Sequence, residues 1–97
     1  MRREEVLNVL ALHRDELRRQ NDVASLLLFG SVARGESTEG SDVDLLVEFG
    51  QPPGFDGYMS LKFRLEEILG CRVDLVMEKA LKPHARPAVE REGIRVA

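Results

Sequence analysis

The spacing of hydrophobic residues changes along the chain from a helical period to a strand period and back. Between residues 3 and 20 the positions that would face a core recur every three or four residues, at Val6, Leu10, His13 and Leu17. This spacing predicts an amphipathic helix. Residues 23–29 then form a continuous apolar run of strand length, which is typical of a strand buried on both faces.

Two further strands are predicted from alternating patterns. In residues 42–49 apolar side chains at every second position share one face, while Asp42 and Asp44 project from the other. A shorter alternation over residues 72–77 places Asp74 opposite its apolar neighbours. Both predicted strands therefore carry acidic side chains on the face that does not enter the core.

Helices and a short edge strand complete the pattern. One helix is predicted from Asp56, as its N-cap, to a terminator at Gly70. Another is predicted over residues 81–92, followed by a short strand at 94–96. Strands that alternate with helices in this way favour an α/β fold, with helices packed on a small mixed β-sheet, and we expect residues 1–97 to form a single domain.

Composition narrows the classes of function. Against 14 Lys and Arg there are 17 Asp and Glu, so the net charge is −3, and general nucleic-acid binding, which relies on a cationic surface, is not expected. The single cysteine, Cys71, excludes an internal disulfide and a zinc site of several thiolates, which suggests a reducing compartment. The first residues do not resemble a signal peptide, and no apolar run approaches the ~20 residues that span a bilayer. We therefore expect a cytoplasmic protein without membrane contact.

A glycine-serine turn closes the first predicted strand. Gly30 allows the backbone to approach a ligand closely, and a short helical turn over residues 31–35 would begin with free backbone N–H groups beside the Ser31 hydroxyl. These groups are suited to binding phosphate. No lysine follows in the register of a Walker A loop, so the phosphate charge has to be met by metal ions, with Arg34 as a further candidate.

Three aspartates form a candidate metal site. Asp42 and Asp44 are two residues apart on one predicted strand, so their Cβ atoms lie on the same face roughly 6–7 Å apart. Two unpaired carboxylates at this distance repel each other, and a divalent cation removes that cost. Oxygen ligands without nearby His or Cys favour Mg²⁺ or Mn²⁺ over zinc. Asp74, on another strand, is the candidate third ligand.

Either motif alone is common in proteins, but the two motifs together are specific. The segments 30–35, 41–47 and 73–76 resemble the minimal nucleotidyltransferase (MNT) proteins of the DNA polymerase β-like superfamily, and the resemblance extends over residues 27–83. It implies the minimal nucleotidyltransferase fold.

The resemblance also implies a role for each motif residue. Gly30 and Ser31 would bind the triphosphate of ATP, and Asp42 and Asp44 would ligate two Mg²⁺ ions. Asp74 would be the third ligand and the base toward an acceptor hydroxyl.

A reaction and a partner follow from the same resemblance. In MNT proteins an acceptor oxygen attacks the α-phosphate of ATP and pyrophosphate leaves, with two metal ions assisting. Members similar to this chain are antitoxins that add AMP to a tyrosine of a HEPN-domain ribonuclease toxin, and we expect the same activity here. Two alternatives remain open from the sequence: a module that neutralises a toxin by contact alone, and a nucleotidyltransferase that modifies a small molecule such as an aminoglycoside.

Overall fold

The structure is a computed structural model that describes residues 2–97. The helices are α1 (Arg3–Leu12), α2 (Arg14–Gln20), α3 (Gly30–Arg34), α4 (Gly54–Leu69) and α5 (Arg86–Glu92). The strands are β1 (Val23–Phe29), β2 (Val43–Phe49), β3 (Val73–Met77) and β4 (Ile94–Arg95), and a 3₁₀ turn (Glu78–Ala80) follows β3. The predicted α/β fold with a small mixed sheet is confirmed.

The four strands form one sheet in the order β3-β2-β1-β4. Strand β1 runs antiparallel to both β2 and β4, whereas β2 and β3 are parallel and are connected through α4. The C-terminal end of β1 therefore lies beside the N-terminal ends of β2 and β3, at one end of the sheet. All the predicted site residues lie at or beside that end.

The hydrophobic core lies between one face of the sheet and helices α1, α2 and α4. Its largest fully buried side chains are leucines from these elements: Leu10, Leu17, Leu26, Leu28, Leu45, Leu61 and Leu65. The second face of β1 is only half-buried rather than buried, since Leu27 and Phe29 remain partly accessible. Within residues 2–97 no helix combines the length and the apolarity needed to cross a membrane.

The first helix is interrupted, contrary to the single helix predicted over residues 3–20. His13 separates α1 from α2 with φ −103° and ψ 8°. Its backbone N–H bonds the carbonyl of Leu10 three residues back, and its ring Nδ1 lies 2.9 Å from the Val9 carbonyl four residues back. The side chain thus occupies the acceptor that a continuous helix would give to the backbone N–H.

The last helix begins at Arg86, so the predicted start at residue 81 is wrong. A helix from residue 81 would place the Pro87 ring against the carbonyl of Pro83, four residues back, and would lose a backbone hydrogen bond. In the structure Pro87 instead occupies the first turn of α5, where its missing N–H has no helical partner to lose.

The other predicted boundaries agree more closely. Helix α4 begins at Gly54, so Asp56 lies in its first turn rather than at the N-cap. Gly70 ends the helix as predicted, and it adopts the left-handed conformation. The predicted edge strand is present as β4, which pairs with Leu27 and Leu28.

Candidate functional site

The turn between β1 and α3 is packed tightly against β2. Gly30 has φ +75°, a conformation that residues with a Cβ rarely adopt. A Cβ built on Gly30 would overlap Oδ2 of Asp44 and lie 2.9 Å from its Cγ. The Asp44 carboxylate therefore rests directly on the backbone of the Gly30 turn, which only glycine permits.

Strand register brings the third motif to the same place. Asp44 pairs with Phe29 of β1 on one side and with Asp74 of β3 on the other. Asp44 is half-buried and Asp74 is exposed on the outermost strand of the sheet. The Gly30 turn, the second aspartate of the Asp-x-Asp pair and Asp74 thus form one cluster, although they are far apart in the sequence.

The electrostatic environment of Asp44 is unfavourable for its charge. Burial raises the pKa of Asp44, and the nearby carboxylates of Asp74 and Asp42 raise it further, partly through a hydrogen bond with Asp74. The Arg34 guanidinium opposes this by a smaller amount. Crowding of acidic groups around a partly desolvated carboxylate is the condition that a bound cation relieves.

Asp42 lies at the margin of this cluster. It precedes β2, and its Oδ1 is 3.4 Å from Nε of Arg72, whose side chain is 82% exposed. Exposed pairs of this kind are weak. Across residues 2–97 no three His, Cys, Asp or Glu side chains are arranged closely enough to enclose a metal ion. The structure brings Asp44 and Asp74 together and leaves Asp42 near them, paired with Arg72.

The chemistry of these donors fits a divalent cation. All are carboxylate oxygens, the hard ligands that Mg²⁺ and Mn²⁺ prefer. Burial and the neighbouring carboxylates of Asp74 and Asp42 both disfavour the charge of Asp44, and a cation bound there would offset that cost.

Arg34, the last residue of α3, is held by two carboxylates. Its Nε donates to Glu36 at 2.9 Å and its Nη1 donates to Glu92 of α5 at 3.0 Å, and both contacts raise its pKa. The contact with phosphate stays a prediction. Glu92 was not identified from the sequence, because nothing in its local pattern distinguishes it from other charged residues near the end of a helix.

The loop before β2 is held by two hydrogen bonds between Ser41 and Thr38. The Ser41 Oγ accepts the backbone N–H of Thr38 at 2.9 Å, and the Ser41 N–H returns to the Thr38 carbonyl at 3.0 Å. These bonds fix the approach to Asp42 and leave Ser41 a local structural residue.

Comparison with known proteins identifies the family of this chain. The sequence profile described as a nucleotidyltransferase domain matches residues 10–96. The chain belongs to the nucleotidyltransferase domain family.

Relatives of this nucleotidyltransferase span nearly its whole length. It is 43% identical over 93 residues to protein adenylyltransferase MntA of Thermococcus cleftensis, covering 96% of this chain and 94% of the relative. It is 41% identical over 95 residues to MJ1379, a candidate protein adenylyltransferase of Methanocaldococcus jannaschii, covering 95% of both.

Solved structures agree with the fold. A candidate minimal nucleotidyltransferase superposes with TM-score 0.81 at 40% identity, covering 97% of this chain and 95% of that one. A complex of a tri-AMPylated HEPN toxin of Shewanella oneidensis with its MNT antitoxin matches with TM-score 0.67 at 20% identity, covering 94% and 71%. The predicted family and enzyme class are confirmed.

Proposed function

We propose that this nucleotidyltransferase is a cytoplasmic antitoxin that transfers AMP from ATP to a tyrosine of a cognate HEPN ribonuclease toxin and thereby neutralises it. The observation that carries the proposal is the contact of the Asp44 carboxylate with the Gly30 turn on one side and with Asp74 on the other. The names of the nearly full-length relatives support protein as the class of acceptor. The MNT–HEPN complex of the same fold supports the choice of toxin.

We assign binding of the ATP triphosphate to the turn after β1. Gly30 lets the triphosphate approach the backbone, and Ser31, at the start of α3, offers its hydroxyl and N–H group to phosphate oxygens. Arg34 supplies the positive charge in this turn.

The three aspartates are assigned to two Mg²⁺ ions, which Mn²⁺ could replace. When bound, such ions lower the pKa of the acceptor hydroxyl and neutralise charge on the triphosphate. Asp44 and Asp42 would hold them from β2 and its preceding loop, and Asp74 from β3.

Asp74 has the additional role of base. Its exposure on the outermost strand leaves its carboxylate accessible to a side chain carried by another protein. It would accept the proton of the tyrosine hydroxyl as that oxygen bonds to the α-phosphorus. The bond from the α-phosphorus to the bridging oxygen breaks, and pyrophosphate leaves.

The decisive experiment follows transfer of labelled AMP from ATP to a purified candidate HEPN toxin. We expect labelling that needs Mg²⁺ and is lost in Asp44→Asn, with Asp56→Asn as the matched control because Asp56 is an exposed aspartate in the first turn of α4. Labelling by Asp44→Asn at the wild-type rate would overturn the proposal. If Asp44→Asn still neutralised the toxin in cells, inhibition by contact alone would be the better description.

A further inference from the structure

Helix α5 reaches the candidate nucleotide site through one ion pair. Glu92, its last residue, accepts a hydrogen bond from Nη1 of Arg34 at 3.0 Å, although the two residues are 58 positions apart. Both side chains are partly shielded, with 31% of Glu92 and 41% of Arg34 exposed.

We propose that Glu92 is a positioning residue for ATP: it orients the Arg34 guanidinium so that the remaining N–H groups of that guanidinium face the triphosphate. The inference rests on the proposed function, because it takes the turn containing Gly30 and Ser31 as the place where the triphosphate binds. It adds α5 to the elements that build the site.

The backbone around Glu92 is fixed relative to the nucleotide turn. Gly93 follows directly, and a Cβ built there would overlap the Leu27 side chain of β1. The next residue, Ile94, pairs with Leu28 of the same strand. Since β1 continues into the Gly30 turn, the backbone that carries Glu92 is anchored to the strand that presents the phosphate-binding groups.

The second carboxylate on Arg34 cannot provide this anchor. Glu36 is only two residues from Arg34 and its side chain is 60% exposed, so it moves with the same short segment. Glu92 is therefore the contact that ties Arg34 to a separate, fixed element.

The guanidinium retains donors for a ligand. It carries five N–H groups, and the bonds to Glu36 and Glu92 engage one each. Arg34 also lies close enough to Asp44 for its charge to act on that carboxylate. A cation held in this position, with donors remaining, is suited to a phosphate bound between the Gly30 turn and the aspartates.

The test measures the Kd of the full chain for ATP in the presence of Mg²⁺, by titration calorimetry. We expect Glu92→Ala to weaken binding about two- to fivefold, as for a partly exposed ion pair, and Arg34→Ala to weaken it roughly tenfold or more. Glu92→Gln keeps an acceptor oxygen and should recover part of the loss. Glu90→Ala, an exposed glutamate on the same helix, is the matched control and should bind as wild type.

The double variant Arg34→Ala/Glu92→Ala separates positioning from a general structural effect. If Glu92 acts through Arg34, the double variant binds ATP no more weakly than Arg34→Ala. Independent, multiplying losses would overturn the proposal. So would unchanged binding in Glu92→Ala, or tighter binding, which would mean that Glu92 withholds Arg34 from the nucleotide.

Failure of the proposed function would look different. If the wild type labels the HEPN protein and Glu92→Ala binds ATP normally, only the role of Glu92 is overturned. If the wild type binds ATP but labels no protein, the acceptor is wrong, and the comparison of Kd values still decides the role of Glu92.

Discussion

Replacing Gly30 with alanine should damage the site far more than it damages the fold. The new methyl group meets two obstacles: the positive φ of 75° at this position and the carboxylate of Asp44, whose Oδ2 it would overlap. The backbone strain alone costs about 1–2 kcal/mol. For a chain of this size each kcal/mol lowers Tm by about 4–8 °C.

The overlap is relieved mainly by the Asp44 side chain. The backbones of β1 and β2 are held together by pairing of Phe29 with Asp44, so the carboxylate has to rotate away from the turn. A displacement of about 1 Å at a reacting centre can cost roughly 100-fold in rate. We therefore expect AMP transfer by Gly30→Ala to fall by about two orders of magnitude.

Two other glycines provide matched controls for the strain. Gly35 and Gly70 have φ values of 74° and 70°, and no atom lies within 4 Å of a Cβ built on either. Gly35→Ala and Gly70→Ala should lose similar stability in thermal unfolding, and Gly70→Ala, whose new Cβ meets no atom within 4 Å, should keep wild-type transfer. If Gly30→Ala and Gly70→Ala transferred AMP at the same rate, the contact between the Gly30 turn and Asp44 would not be needed for transfer, and the reasoning would be refuted.

Two predictions concern regions away from the nucleotide turn. Gly50→Ala would place a Cβ 2.7 Å from Oδ1 of Asp22, a residue with φ 55°. It should lower the free energy of unfolding in urea by about 1–3 kcal/mol and leave the Kd for ATP unchanged. A changed Kd would show that the two ends of the sheet are coupled. Glu66 accepts hydrogen bonds from Lys62 and from the N–H of Val73, which hold its pKa below the usual value. Its stabilising contribution is therefore present above the ordinary glutamate pKa of about 4.3 and is lost as pH falls through the lower folded pKa. Plots of Tm against pH for wild type and Glu66→Gln should differ near neutrality and converge in acid, and parallel curves would contradict this assignment.

The strands and the motifs could be predicted from the sequence, because strand alternation and motif spacing depend only on residues that are neighbours in the chain. Alternation placed Asp44 and Asp74 on the correct face, and the parallel register then paired them. What could not be predicted depends on contacts between distant segments. Neither the bond from Arg34 to Glu92 nor the ion pair of Asp42 follows from spacing along the chain.

The errors in helix boundaries have local causes that competed with periodicity. The hydrophobic spacing continues across His13 and so predicts one helix. The His13 side chain, however, occupies the Val9 carbonyl that the backbone of a continuous helix would use, and the helix is interrupted there. The predicted start of α5 at residue 81 is too early because the ring of Pro87 disfavours a helix that already includes Pro83, four residues back.

The alternation along β2 and β3 has a consequence for how this sequence can change over time. Asp44 lies between the buried side chains of Val43 and Leu45, and Asp74 has buried neighbours in the same way. Exchange of one aliphatic residue for another leaves each carboxylate on its own face, whereas insertion or deletion of one residue turns the carboxylate toward the core. These two strands should therefore accept many substitutions among homologues and almost no change in length.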